Sequence, residues 1–360
     1  MLKDGHRPRR TLVLASWDAE EWHLTGSTEW GEQFARELGA SAIAYLNVDS
    51  STGGSEFTAG AVASLNPLVV ETARDVIDPD TRRSVLEAWG RDLRRGERES
   101  VIGGGADPGD GQDLSDPMDY VDNRLGSGSD YTVFLNFLGI PIVGMAFDGP
   151  YGVYHSQYDD YYWMTHFGDP GFRYMTTMGE IWARMGLRLA NADVIPYDFR
   201  LYAARTGDFI GDLEAQPGVA EHLDLSRVRV AQSGWARAAE ELETRVQQAL
   251  SEGRAPGRRT AGSRGDPFAT LNGILVEVER AFLLDEGIPG RPWFKHVLYA
   301  PKYTYDAMML PGAQEAVDLG DWSTAQAQVD LLAQRLLAAG DAVRRASEAV
   351  PDLPSRDDHE

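Results

Sequence analysis

The chain has 360 residues, of which 34 are basic and 56 acidic, and its net charge is −22. This negative charge repels phosphate backbones and anionic membrane surfaces, so we expect no nucleic-acid partner. Because cysteine is absent, disulfides, thiolate metal sites and a cysteine nucleophile are excluded. Any metal has to be bound by His, Asp or Glu.

The first ten residues are polar, and they lead into only a short apolar run. No stretch of the sequence approaches the roughly 18 consecutive apolar residues of a membrane-spanning helix. We therefore expect neither a signal peptide nor a transmembrane segment in this chain. The sequence does not indicate the compartment.

Strand and helix patterns alternate in the first half of the chain. Continuous apolar runs at 11–17, 43–49 and 140–147 are typical of strands buried on both faces of a parallel sheet. Helices are predicted at 29–38, 66–76, 81–94 and 130–138. This alternation predicts an α/β domain over residues 1–195, with an open, mostly parallel sheet and flanking helices.

From about residue 196 the pattern changes to apolar residues spaced three and four apart. Three such runs, 228–249, 268–282 and 329–343, predict long amphipathic helices, with Ser323 as the N-cap of the last. We predict an all-α helical bundle over residues 196–350. The polar tail, 351–360, is predicted to be disordered.

Carboxylates and an imidazole follow the predicted strands. Glu20 and Glu21 follow the first strand, Asp49 ends the second, and His155 lies shortly after the third. Ligands of open α/β sheets bind beyond the carboxyl ends of the strands, and this donor set suits zinc. Of two adjacent glutamates, one can bind metal while the other acts as general base.

Each of these features also has a simpler structural explanation. Acidic residues after a strand are common at helix starts, and an aspartate at a strand end is usually a turn or cap residue. A single histidine is more often a hydrogen-bonded structural residue than a ligand. The order of all of them along the chain, rather than any one of them, favours a metal site.

A series of sequence blocks, in order, resembles the glutamate carboxypeptidase II and transferrin receptor family of di-zinc peptidases. The blocks lie at 17–21, 26–30, 47–51, 125–130, 154–156, 291–301 and 310–312. The resemblance extends from about residue 7 to 347. It implies the C-terminal part of a zinc-peptidase-like domain, followed by a helical dimerisation domain that forms a homodimer.

The resemblance also implies roles for four residues at the predicted strand ends. Glu20 matches the general base of the di-zinc peptidases. Glu21, Asp49 and His155 match three of their five zinc ligands. The family has a further histidine and a metal-bridging aspartate upstream of the position where residue 11 stands here, and this sequence contains neither.

Substrate residues follow from the same resemblance. Tyr154 matches a tyrosine that binds the substrate, Gly128 and Ser129 fall in the substrate-lining loop, and Tyr305 falls in the pocket for the terminal residue. The lysine and the arginine patch that bind a terminal glutamate in the family are absent here. We therefore expect peptides with neutral or apolar side chains rather than strict glutamate specificity.

A calcium site near the dimer interface is implied by Glu29 and Glu32, which match two of the family's calcium-binding carboxylates. The two residues are three apart, which places them on one face of a predicted helix.

Three functional hypotheses remain open. The first is a zinc-dependent amino- or carboxypeptidase acting on small peptides, in an N-terminally truncated form that is inactive or impaired as an isolated chain. The second is a non-catalytic dimerising or binding relative of the transferrin receptor type. The third is a truncated gene product with an exposed apolar strand edge, which would aggregate.

Overall fold

The computed structural model describes residues 5, 7–95, 114–252, 266–302 and 306–351. Two compact units share the chain. One comprises Met1–Ala192 with Tyr299–Met309, and the other comprises Asp193–Leu298 with Leu310–Glu360. Residue Tyr305 and the predicted disordered tail beyond 351 lie outside the described residues.

The first unit is an α/β structure. In chain order its elements are α1 (Thr25–Gln33), α2 (Ala35–Ser41), β1 (Tyr45–Asn47), β2 (Glu56–Ala61), α3 (Asn66–Asp75), α4 (Val85–Arg95), β3 (Ile142–Asp148), α5 (Tyr161–Trp163), α6 (Arg173–Asn191), β4 (Tyr299–Lys302) and β5 (Asp306–Met309). The helices predicted at 66–76 and 81–94 are confirmed as α3 and α4. The helix predicted at 130–138 is a single π-helical turn, Val133–Phe137.

Among the described residues, the sheet of the first unit that carries the candidate site residues has three strands, in the order β1–β3–β2. Strand β1 runs parallel to β3, and Asn47 lies opposite Gly144. Strand β2 runs antiparallel to β3, so the predicted mostly parallel sheet is not confirmed. The strands predicted at 43–49 and 140–147 correspond to β1 and β3. Strand β2 is rich in small residues of low β propensity, and its pattern was not recognisable in the sequence.

The buried strand predicted at 11–17 is wrong. This segment belongs to no strand. Leu12 is 45% exposed, Val13 68% and Leu14 84%, and only Trp17 at its end packs against another aromatic ring, that of Trp30. An apolar run indicates that a segment can be buried, but burial also needs covering layers on both faces. The described residues do not cover the side chains of residues 12–14 in this way.

Both ends of this segment are fixed. The Arg10 guanidinium donates to the carbonyl oxygens of Leu189 and Ala192 at the end of α6, each at 2.8 Å. Trp17 Nε1 donates to the hydroxyl of Tyr45 in β1 at 2.9 Å. The exposed side chains are therefore held on a backbone that is tied down on either side of them.

We expect Leu14→Glu to reduce self-association of the protein without lowering its melting temperature. Leu14 contributes little burial, and a charge on an exposed apolar segment opposes contacts between chains. Sedimentation velocity checks the result. Ile77→Glu is the matched control, because Ile77 is 52% exposed and lies in the first unit, away from residues 11–17 in the sequence. An equal effect of both substitutions would contradict the prediction.

The second unit is helical. It contains α7 (Phe199–Glu214), α8 (Val219–His222), α9 (Ser226–Glu252), α10 (Ala269–Arg280), α11 (Pro311–Asp318) and α12 (Trp322–Glu348). The three predicted amphipathic runs are confirmed as α9, α10 and α12. The N-cap of α12 is Asp321 rather than Ser323: Asp321 accepts from the backbone N–H of Thr324, and the Ser323 hydroxyl also donates to Asp321.

A buried polar network lies in the core of this unit. The Tyr202 hydroxyl donates to Glu279 Oε1 at 2.7 Å, and His296 Nε2 lies 2.9 Å from the same oxygen. The backbone N–H of Leu298 donates to His296 Nδ1, which leaves the ring proton of a neutral imidazole on Nε2, facing Glu279.

We expect Tyr202→Phe to lower the free energy of unfolding of the helical unit by about 1 kcal/mol, the usual contribution of one hydrogen bond. The aromatic ring and its packing are kept, so the change isolates the hydroxyl. Urea denaturation followed by circular dichroism checks it. An unchanged free energy of unfolding would show that the hydrogen bond from Tyr202 to Glu279 does not stabilise the helical unit.

Candidate functional site

The turn before α1 carries two of the predicted site residues, Glu20 and Glu21. It is a tight turn, in which the backbone N–H of Leu24 donates to the carbonyl of Glu20 at 2.8 Å. A Cβ on Gly26 would lie 2.2 Å from the carbonyl oxygen of Asp18. Only glycine therefore allows α1 to begin so close to this turn.

The backbone of this region is strained at several non-glycine residues. Ala19, His23 and Leu24 have φ angles of 58°, 59° and 57°, and His155 has a φ of 57°. Such left-handed conformations cost about 1–3 kcal/mol each and cluster at functional sites.

His155 lies in the segment that follows β3. Its Nε2 is 3.0 Å from Glu21 Oε1, and both side chains are more than half exposed. The ring of Tyr154 stacks on His155 with centroids 3.9 Å apart. The structure therefore brings together an imidazole, a carboxylate and the tyrosine predicted to bind substrate.

Asp49 follows the end of β1 and is exposed, but its carboxylate is held from the protein side. Ser129 Oγ donates to Asp49 Oδ1 at 2.7 Å, and Asn47 Nδ2 donates to the same atom at 3.0 Å. Ser129 follows Gly128, whose φ of 107° is accessible only to glycine at low cost. The predicted substrate loop thus contacts a predicted zinc ligand directly.

Glu20 lies among these groups. Partial burial raises the pKa of its carboxyl above the usual value, and the nearby charges of Glu21, Asp130 and Asp49 raise it further. The proximity of His155 acts in the opposite direction. Four carboxyl groups and one imidazole therefore share one electrostatic environment.

Asp130 was not predicted as a site residue. It is buried, and burial raises the pKa of its carboxyl above the usual value, although a hydrogen bond from Ser27 opposes the shift. In the sequence Asp130 looks like a residue at a helix start, and only the fold places it beside Glu20 and Asp49. Asn47 was missed for the same reason.

The donor chemistry of the site fits zinc, which binds imidazole nitrogen and carboxylate oxygen. Within the described ranges, however, no three His, Asp or Glu side chains form a group that could hold a metal ion. Glu21 and His155 form a pair, whereas Asp49 is held separately. These residues therefore fit as part of a zinc site that needs further ligands.

Glu29 and Glu32 both lie on α1, as predicted. Nothing in the described residues places a third carboxylate with them. The calcium site therefore stays a prediction. No helix in the described part of the chain is long and apolar enough to cross a membrane.

Residues 223–344 match a family model described as the transferrin receptor-like dimerisation domain. The match contains most of the long helices of the second unit. The expected dimerisation domain is therefore supported by a comparison that is independent of the candidate metal residues.

Three curated relatives extend the similarity along most of the chain. A probable glutamate carboxypeptidase, LAMP1 of Arabidopsis thaliana, is 33% identical over 96% of this chain and 46% of its own length. A protein of Schizosaccharomyces pombe named as an inactive zinc metalloprotease is 29% identical over 94% of this chain and 39% of its own. The aminopeptidase NAALADL1 of Rattus norvegicus is 27% identical over 88% of this chain and 41% of its own length. The chain spans less than half the length of each relative.

Proposed function

The chain carries a transferrin receptor-like dimerisation domain and is similar over most of its length to glutamate carboxypeptidase-like proteins; from this premise we propose that it forms part of a zinc-dependent exopeptidase. The observation that carries the proposal is the shared environment of Glu20, Glu21, Asp49 and His155. Small peptides are the proposed substrates, and both amino- and carboxypeptidase action fit the relatives' names.

The proposal assigns a role to each of these residues. Glu21 and His155 would hold one zinc ion, and Asp49 would contribute to the second. Zinc, when bound, lowers the pKa of its water and polarises the scissile carbonyl. The further histidine and the bridging aspartate of the family pattern would come from polypeptide outside this sequence.

Glu20 is the proposed general base. Its carboxylate would accept a proton from the attacking water and pass it to the leaving amine. Its position supports this task, because Glu20 directly precedes the proposed ligand Glu21 and lies close to His155 and Asp49. The hydroxyl of Tyr154, whose ring stacks on His155, would hold the peptide carbonyl beside this base.

A preference for neutral or apolar side chains is part of the proposal. Where the family pattern has an arginine patch, this chain has 144–147, which is buried within β3. Tyr154 and Tyr158 are exposed aromatic residues near the candidate metal ligands and offer apolar contact instead.

The second candidate function is a non-catalytic dimerising or binding protein. It is favoured by the relative named as an inactive zinc metalloprotease, which matches 94% of this chain. It is also favoured by the lack of a group of three metal-binding side chains among the described residues. Both candidates include a homodimer formed through the helical domain.

Metal analysis combined with dipeptide hydrolysis distinguishes the two candidates. The chain is purified without added metal, alone and together with a polypeptide that supplies the missing half of its relatives' length. About two zinc ions per complete site, and hydrolysis that a chelator abolishes, are expected for the peptidase. Stable assembly without zinc or hydrolysis would overturn the peptidase and favour the binding protein. Light scattering tests the dimer in the same samples.

A further inference from the structure

Asp49 is held by a closed triangle of hydrogen bonds. Besides the two bonds to Asp49 Oδ1, Asn47 Nδ2 also lies within hydrogen-bond distance of Ser129 Oγ, at 2.8 Å. Ser129 therefore accepts from Asn47 and donates to Asp49. An ionised carboxylate can only accept, so Asn47 and Ser129 are the donors to Asp49.

The two donors are rigidly placed, whereas the acceptor is exposed. Asn47 is only 5% exposed and pairs with Gly144 in the sheet. Ser129 is 3% exposed, and its carbonyl accepts from both the backbone N–H and the hydroxyl of Thr132. The sheet fixes Asn47 and the loop fixes Ser129. The exposed carboxylate of Asp49 is therefore oriented by these two buried donors.

Both bonds reach the same carboxylate oxygen. Within the described part of the chain, no hydrogen bond of Asp49 uses Oδ2, so this oxygen stays available to a ligand. We propose that Asn47 and Ser129 are positioning residues, which fix the rotamer of Asp49 so that Oδ2 is the atom presented to the metal. This inference rests on the proposed function, because it concerns the same zinc ligand.

The triangle also connects the predicted substrate-lining loop with the proposed metal ligand. Ser129 belongs to the loop predicted to line the substrate, and Asp49 is the proposed metal ligand. A shift of the loop would therefore move the ligand as well. Hydrogen-bond partners of metal-binding carboxylates typically contribute about 10- to 100-fold to metal affinity.

The test compares four variants of the chain, each together with the polypeptide that supplies the missing half of its relatives' length, by calorimetric titration with Zn²⁺ and by the visible spectrum of bound Co²⁺. Asn47→Ala and Ser129→Ala each remove one donor to Asp49, and Asp49→Ala removes the ligand. Ser127→Ala is the matched control, because Ser127 is a buried hydroxyl of the same loop that bonds Thr132 instead.

We expect Asn47→Ala and Ser129→Ala to weaken metal binding by about 10- to 100-fold, and Ser127→Ala to bind as the unchanged chain does. Equal loss in Ser127→Ala would overturn the inference, because any disturbance of the loop would then suffice. Unchanged binding in Ser129→Ala, with loss in Asp49→Ala, would overturn the inference and leave the proposed function standing. Unchanged binding in Asp49→Ala, or no binding by the unchanged chain in the presence of that polypeptide, would overturn the proposed ligand role itself.

A second measurement needs no metal. The side-chain amide resonances of Asn47 are assigned by their loss in Asn47→Ala. They should shift in Ser129→Ala and in Asp49→Ala but not in Ser127→Ala. Resonances that stay in place in Ser129→Ala would show that the triangle does not form.

Discussion

Replacing Glu20 with glutamine is expected to lower peptide hydrolysis by the complete site about 10²- to 10⁴-fold, while the zinc content stays the same. Glutamine has nearly the shape of glutamate, but its amide cannot accept the proton of the attacking water. The neighbouring ligand Glu21 is kept, so metal binding should survive. Steady-state kinetics gives the rate of hydrolysis, and metal analysis of the same preparation gives the zinc content.

Glu37→Gln is the control for this substitution. Glu37 is an exposed glutamate on α2 that pairs with its neighbour Arg36, and it belongs to none of the groups around Glu20. Its activity should match that of the unchanged protein. Activity of Glu20→Gln within a few-fold of the unchanged protein would show that another group accepts the proton.

The second large effect is expected at His155. His155→Asn should remove most of the zinc and, with it, all measurable hydrolysis, because the amide replaces the only imidazole in contact with Glu21 in the described residues. Asparagine is one of the non-glycine residues that tolerate a positive φ best, so the backbone at position 155 should keep its φ of 57°. Zinc per chain, measured after removal of loosely bound metal, checks the result.

His166→Asn is the matched control. His166 lies on the same exposed segment, and its Nδ1 contacts the carbonyl of Tyr162 rather than a carboxylate. We expect His166→Asn to keep both zinc and hydrolysis. Equal loss of zinc in the two variants would indicate a general disturbance of the segment and contradict a ligand role for His155.

Much of the secondary structure could be predicted from the sequence because the patterns are long or strongly apolar. The spacing of apolar residues in α9 and α12 continues over many turns, and only one face of such a helix can be buried. Strand β3 is an apolar run of the kind found inside sheets and is buried along its whole length, whereas β1 is a three-residue edge strand of the described sheet, in which only Asn47 is buried. Local pattern was enough in these cases.

The remaining features depend on contacts between distant parts of the chain. The run at 11–17 has the composition of a buried strand, but its exposure is decided by what packs on it. Asn47 and Ser129 are 82 positions apart, and their bond to each other and to Asp49 has no local signature. Asp130 is recognised as a neighbour of Glu20 only after folding.

The left-handed backbone at His155 has a consequence for how this protein would respond to selection. Glycine adopts a φ of 57° without the penalty of about 1–2 kcal/mol that a Cβ brings. His155→Gly should therefore melt at a higher temperature than the unchanged chain, although it lacks the imidazole. In a library sorted only for thermal stability, such variants would be enriched and the candidate metal ligand would be among the first residues lost. Engineering of this chain for robustness therefore has to be screened for metal binding in parallel.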